Sequence, residues 1–181
     1  MTIDGDADIL GLKRIGGIVA RVLRDMLAAI EPGMTTRELD ALGAAWLAAA
    51  GARSAPRLVY QFPGATCISV NEEVAHGIPG DRVIRRGDVV NVDVSAELDG
   101  YYADTGGTCV VPPTTPEKDR LCAAAHEALD TALGRVRAGE RVNVIGQAIQ
   151  EVASRYGYRT VENIGSHGVG RGLHEALGRL L

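Results

Sequence analysis

Apolar residues recur at steps of three and four near the start of the chain, at Ile9, Leu12, Ile15, Ile18, Val19, Val22, Leu23, Met26 and Leu27. That is the period of an amphipathic helix, and it predicts one over residues 9–30, stopped by Pro32-Gly33. Thr35 followed by Glu38 has the form of a capping box, so a second helix is expected to begin there and to run to about residue 50, where Gly51 closes it. The pattern then changes period. Val90, Val92 and Val94 alternate with Asn91, Asp93 and Ser95, as in a strand with two unlike faces. Strands are expected over 66–71, 88–95 and 101–111, the last two joined by Asp99-Gly100 as a hairpin turn.

After Pro112-Pro113 the helical period returns. Thr115-Pro116-Glu117 places cap, proline and acidic first turn in the order that opens a helix, expected to reach about residue 138. Gly139 interrupts it, a further helix is expected over 143–156, and Gly157 precedes an expected strand around 159–163. The order helix, glycine turn, helix, glycine, extended segment thus occurs twice. Gly33 and Gly139, and Gly51 and Gly157, stand the same 106 positions apart. The repeat points to one α+β domain over 1–181 built of two related lobes, the first over 1–112 and the second from 113 onward. On that offset the first lobe's hairpin has its counterpart at 194–217, beyond Leu181.

An apolar content of 46% in 181 residues is enough for a proper core. The 19 basic and 23 acidic residues are spread along the chain and form no basic stripe with interleaved aromatics, so nucleic-acid binding is not expected. The start, Met1-Thr2-Ile3-Asp4-Gly5-Asp6, is acidic and has no signal-peptide pattern, and Arg21, Arg24 and Asp25 interrupt the best candidate for a spanning helix. A cytoplasmic protein without membrane contact is expected. Cys67, Cys109 and Cys122 are odd in number and lack Cys-x-x-Cys spacing, so free thiols are expected.

Aspartate is unfavourable inside strands, yet two stand in the expected hairpin. With Asp99-Gly100 at the turn, Asp104 faces Ser95 and Asp93 faces Gly106. Both carboxylates then lie on one face as diagonal neighbours, with alpha carbons about 7–8 Å apart. Such a pair repels unless a proton or a cation intervenes, and ligation of two divalent ions about 3.5–4 Å apart is one resolution. A solvated sheet edge is the other. Three of the four histidines sit in short, glycine-rich or acidic contexts: His76-Gly77-Ile78-Pro79, Ser166-His167-Gly168-Val169-Gly170-Arg171, and His174-Glu175. There an imidazole can be aimed at a cation or a developing oxyanion, the alternative being a structural histidine satisfied by its neighbours. His126 falls among alanines and reads as a plain helix residue.

Four segments taken together carry a family resemblance: Asn71-Glu72-Glu73-Val74-Ala75-His76-Gly77-Ile78-Pro79, Val90-Asn91-Val92-Asp93-Val94, Asp99-Gly100-Tyr101-Tyr102-Ala103-Asp104-Thr105, and His167-Gly168-Val169-Gly170-Arg171-Gly172-Leu173-His174-Glu175. In order and spacing they resemble the type I methionine aminopeptidases of the pita-bread metallopeptidase fold, over residues 15–175. The resemblance implies two divalent metal ions, of cobalt, manganese, iron or zinc, with Asp93 a bidentate ligand, Asp104 bridging both and His167 binding one. It implies that His76 and His174 are catalytic, contacting the substrate and steadying the tetrahedral intermediate. Phe62, Cys67 and Leu173 would wall the methionine pocket, Leu173 standing where the family usually has an aromatic. The implied activity is removal of initiator methionine from N-terminal peptides of nascent proteins, close to the ribosome, by a monomer when the fold is complete.

After Glu175 the family continues with a proline-containing segment and two strands that each deliver a metal-binding glutamate, one of which is also the general base. Here Ala176-Leu177-Gly178-Arg179-Leu180-Leu181 follows. Resemblance and internal repeat both lead to the expectation of an incomplete second lobe, weak or absent metal binding and little or no activity in the 181-residue chain, and an exposed sheet edge. A related aminopeptidase or prolidase of the same fold, a non-catalytic binding module, and a frameshifted or fragmentary C-terminus are the competing readings. His76-Gly77-Ile78-Pro79 favours methionine, and the retained Asp93, Asp104 and His167 speak against long decay.

Overall fold

The first apolar stripe folds as helix α1, Asp6–Ala28, in a computed structural model that describes residues 4–161 and 163–175. Expectations for residue 162 and residues 176–181 lie outside the described residues. Helix α2, Thr36–Ala49, opens on the capping box read from the sequence: Thr35 accepts from the Glu38 N–H, and the Glu38 carboxylate accepts from the Thr35 N–H at 2.8 Å. Next come two elements where the sequence shows only a connector, strand β1 (Arg53–Ser54) and helix α3 (Ala55–Tyr60). Two residues have no period to detect. Pro56 reads as a loop residue, yet it sits in the first turn of α3, where a missing N–H costs nothing.

Strands β2 (Cys67–Val70), β3 (Val89–Leu98) and β4 (Tyr101–Val110) complete an antiparallel sheet. β4 lines one edge of β3 along its full length, while β1 and β2 share the other edge end to end. Asp99 and Gly100 form the hairpin turn with φ of 54° and 81°, and the register places Ser95 opposite Asp104 and Asp93 opposite Gly106, as the sequence predicts. Buried Glu97 ties the turn to β1: it accepts from Arg53 Nε and from the Gly100 N–H, both at 2.6 Å. The Arg53 bond, above all, holds its carboxyl below the usual range.

Val90, Val92, Val94 and Ala96 form the apolar face of β3 and pack with Ile15, Val19, Val22 and Met26 of α1. Burial of each such valine or isoleucine contributes about 1.5–3 kcal/mol. Gly107, opposite Val92, keeps this face shallow enough for α1, since a Cβ there would stand 3.0 Å from Leu27 Cδ1. The other face of β3, bearing Asn91, Asp93, Ser95 and Glu97, is therefore turned away from α1.

The chain divides into two units. One comprises the residues up to Thr114 together with Val169–Glu175, and the other Thr115–Gly168. In the second, helix α4 (Pro116–Arg135) is capped by Thr115, and helix α5 (Val144–Tyr156) ends at left-handed Gly157. Ala124, Ala128 and Ala132 recur every four residues on α4 and are buried with Ala148 and Val152 of α5. α4 stops three residues short of the expected 138 because Val136 turns to extended backbone. The strand expected around 159–163 is absent from residues 159–161 and 163, which pair with no strand among the described residues. An extended segment without a ladder partner has no bonds to hold it as a strand. Both glycine pairs of the repeat adopt left-handed backbone: φ is 99° at Gly33 and 87° at Gly139, 74° at Gly51 and 80° at Gly157. No disulfide joins Cys67, Cys109 and Cys122, and among the described residues no helix is long and apolar enough to cross a membrane.

Candidate active site

Asp93 of β3 and Asp104 of β4 are diagonal neighbours on the polar face of the hairpin. Their carboxyls hydrogen-bond to each other. Burial, then the charge of Asp104 and this bond, push Asp93 up to about 7. Directly across from Asp93, on β2, stands buried Cys67. Burial first, then Asp93, Asp104 and Asp40, push its thiol up to about 12, so it stays protonated and behaves as a small apolar group. Two hard oxygen donors forced together beside an apolar wall suit a divalent cation, which would relieve the repulsion that now retains a proton. Within this unit no third His, Cys, Asp or Glu joins them as a metal-holding group among the described residues.

His76 lies between β2 and β3 with a left-handed backbone, φ 55°, and is exposed. Its loop presses on β2 through Gly77, whose N–H donates to Ser69 Oγ at 3.1 Å and whose carbonyl accepts from the Ile68 N–H at 3.0 Å. A Cβ on Gly77 would overlap the Ile68 carbonyl oxygen, a backbone atom with no freedom to give way. Gly77→Ala is therefore expected to destabilise the protein by about 1–3 kcal/mol, the usual range for overpacking, read as a lowered urea midpoint. An unchanged midpoint would show that the loop does not need this close approach.

Val169–Glu175 packs with the first unit. The Tyr102 N–H donates to the Gly170 carbonyl at 2.8 Å. The Arg171 guanidinium lies 3.7 Å from the centre of the Tyr101 ring and donates to Asp8 at 2.8 Å and to the Tyr101 hydroxyl at 2.7 Å. Leu173 is buried and Phe62 half-buried, while exposed His174 meets Tyr60, whose hydroxyl lies 2.7 Å from its Nδ1. His167 belongs to the second unit. Its Nδ1 lies 3.1 Å from the Gly168 carbonyl oxygen, which can only accept, so Nδ1 carries the proton and a neutral ring keeps its lone pair on Nε2. His126 is an exposed residue of α4, as read from the sequence.

Two residues of consequence escape a reading of the sequence alone. One is Tyr60, hidden in a helix that reads as a connector. The other is Asp40 of α2, 6% exposed, which accepts from the N–H groups of Ala65 and Thr66 and from the Thr66 hydroxyl at 2.8–3.0 Å. Arg57 stands 3.6 Å away. Asp40 thus fastens the loop that delivers Cys67 to β2. Its signal is a carboxylate on the buried side of an otherwise apolar helix, next to Leu39 and in phase with Thr36, Gly43 and Leu47.

Residues 11–180 match the model of metallopeptidase family M24. The chain is 45% identical over 177 residues to methionine aminopeptidase 2 of Bacillus subtilis (strain 168), covering 97% of this chain and 71% of that protein. It is 48% identical over 177 residues to a methionine aminopeptidase of Staphylococcus epidermidis, covering 97% and 70%. The crystal structure of methionine aminopeptidase from Rickettsia prowazekii aligns with a TM-score of 0.92 at 33% identity, over 97% of this chain and 71% of that one. The α+β pita-bread fold expected from the motifs is the fold these proteins share. With a family model spanning nearly all of its length and relatives this similar, the chain belongs to metallopeptidase family M24.

Proposed function

We propose that this protein is a metal-dependent methionine aminopeptidase that removes initiator methionine from the N-terminal peptides of nascent proteins. The observation that carries the reading is the Asp93–Asp104 pair, held together on the polar face of the hairpin in a chain 45–48% identical to methionine aminopeptidases. Asp93, Asp104 and His167 would hold two divalent ions, cobalt, manganese, iron or zinc. The two carboxyls supply hard, charged oxygens, and the His167 tautomer supplies a nitrogen lone pair. When bound, such ions supply Lewis acidity and make water nucleophilic near neutral pH.

The remaining roles fall to the chain's own side chains. His76 and His174 donate hydrogen bonds to the first peptide carbonyl, which strengthen as its oxygen becomes negative, a contribution of about 2.7–4 kcal/mol for a well-placed donor. Protonated Cys67, Phe62 and buried Leu173 wall a pocket for the methionine side chain, where a thioether finds apolar contacts. The protein would act in the cytoplasm as a monomer, on chains emerging from the ribosome.

Incubation with Met-Ala-Ser and manganese, cobalt, iron or zinc tests the proposal. Free methionine is expected, abolished by chelator, and lowered more than about 100-fold by Asp104→Asn, since losing a ligand exceeds the 10–100-fold cost of losing a group that merely orients one. Preferred cleavage before proline would favour a prolidase. Peptide bound but uncleaved would favour a non-catalytic module of the same fold, and neither outcome from a demonstrably folded chain would overturn an N-terminal peptide as ligand.

A further inference from the structure

We infer that Tyr60 is a positioning residue that sets the tautomer of His174, donating its phenol hydrogen to Nδ1 so that Nε2 carries the proton it presents to the substrate carbonyl. The inference rests on the aminopeptidase reading only for the use made of that proton. The geometry stands apart from it.

The two side chains come from segments 114 residues apart, and each segment is fixed independently. Tyr60 is the last residue of α3, whose first turn is buried at Ala55 and Pro56 and whose cap, Ser54, accepts from the Arg57 N–H and donates to the Ala65 carbonyl at 2.7 Å. Gln61 then takes a left-handed cap conformation, φ 55°, ending the helix at the tyrosine. On the other side, the backbone around His174 is held by the Tyr102–Gly170 bond, by Arg171 stacked on Tyr101, and by the Glu175 carboxylate accepting from the Arg171 N–H at 2.8 Å. None of these contacts touches the imidazole. The Tyr60 hydroxyl at 2.7 Å and the Tyr60 ring edge, with centroids 5.6 Å apart and planes at 67°, do so.

Chemistry sets the direction of the bond. A phenol is a good donor and a weak acceptor, whereas a neutral imidazole offers one lone pair and one N–H. With Tyr60 donating to Nδ1, the single proton of the ring is confined to Nε2. Reversed, Nδ1–H would point at the tyrosine and Nε2 would face the substrate as an acceptor, unable to stabilise an oxyanion. Tyr60 is 57% exposed, so water competes for the bond and its net worth is that of an ordinary neutral hydrogen bond.

The test uses the full chain labelled with ¹⁵N-histidine. Two-bond proton–nitrogen correlations report which ring nitrogen is protonated, and His174→Gln identifies the His174 signals. In the parent protein Nδ1 is expected to be unprotonated and hydrogen-bonded. In Tyr60→Phe, which keeps the ring contact and removes only the hydroxyl, the Nδ1 resonance should move toward that of an unbonded imidazole nitrogen. Methionine release should fall in kcat by about 3–10-fold, with KM little changed, because the donated bond strengthens in the transition state. A protonated Nδ1 in the parent, or a Tyr60→Phe spectrum identical to the parent's, overturns the inference. So does normal turnover in Tyr60→Phe alongside impaired turnover in Tyr60→Ala, which would make the role one of packing. If the parent releases no methionine, the aminopeptidase reading fails while the spectra still decide the tautomer.

Discussion

Asp93→Asn is expected to stabilise the metal-free protein at pH 8 while removing its aminopeptidase activity. In an unfolded chain Asp93 releases its proton at the ordinary value of 3.8, but in the folded hairpin it holds it until about 7. Between those values the folded state binds more protons than the unfolded one, so stability falls as pH rises. The loss begins near pH 4, is complete once pH exceeds about 7, and leaves two carboxylates facing each other in partial burial. Asparagine does not titrate, and its amide can donate to Asp104. A gain of roughly 2–4 kcal/mol at pH 8 is expected, with none at pH 4, because each tenfold change in proton affinity corresponds to about 1.36 kcal/mol. Urea midpoints measured in chelator at pH 4, 6 and 8 check it. A variant less stable than the parent at pH 8, or one with the parent's pH slope, would show that the pair is not repelling. The opposite signs for stability and activity are the mark of a site arranged for a cation rather than for the fold.

Asp40→Ala is expected to cost about 3–5 kcal/mol, a larger loss of stability than Gly77→Ala. The carboxylate accepts from two backbone N–H groups and one hydroxyl, all buried, and balances Arg57. Alanine leaves three donors without a partner, where each buried unmet group costs about 1–3 kcal/mol, and it leaves a cavity that the rigid loop closes only in part. Asp40→Asn keeps one acceptor oxygen and should lose less than half as much. Because the same loop leads into Cys67, Asp40→Ala should also raise KM for Met-Ala-Ser in the molecules that remain folded. A urea midpoint within the error of the parent's would remove Asp40 from this role.

Periodicity together with caps and breaking glycines specifies the helices α1, α2, α4 and α5, and turn chemistry specifies the hairpin. Those signals are local, since a stripe every three or four residues and a two-residue Asp-Gly turn are written in consecutive positions. The register of β3 on β4 follows from that turn, which is why the Asp93–Asp104 pairing is legible in the sequence itself. By contrast α3 is too short for a period to show, and residues 159–161 and 163, expected in a strand, have no partner to pair with among the described residues.

What the sequence determined by itself, then, was the α+β order of elements and the diagonal placement of two aspartates, both consequences of short-range spacing, and, through the resemblance of its motifs, the family. Tertiary structure decided the rest. Only packing shows that Cys67 is buried across from Asp93, that Asp40 holds three donors 25 and 26 residues away, and that Tyr60 reaches His174 across 114 residues. Burial and hydrogen bonding between distant segments depend on how the chain returns on itself, and no local pattern of hydrophobic and polar residues encodes which atoms meet when it does.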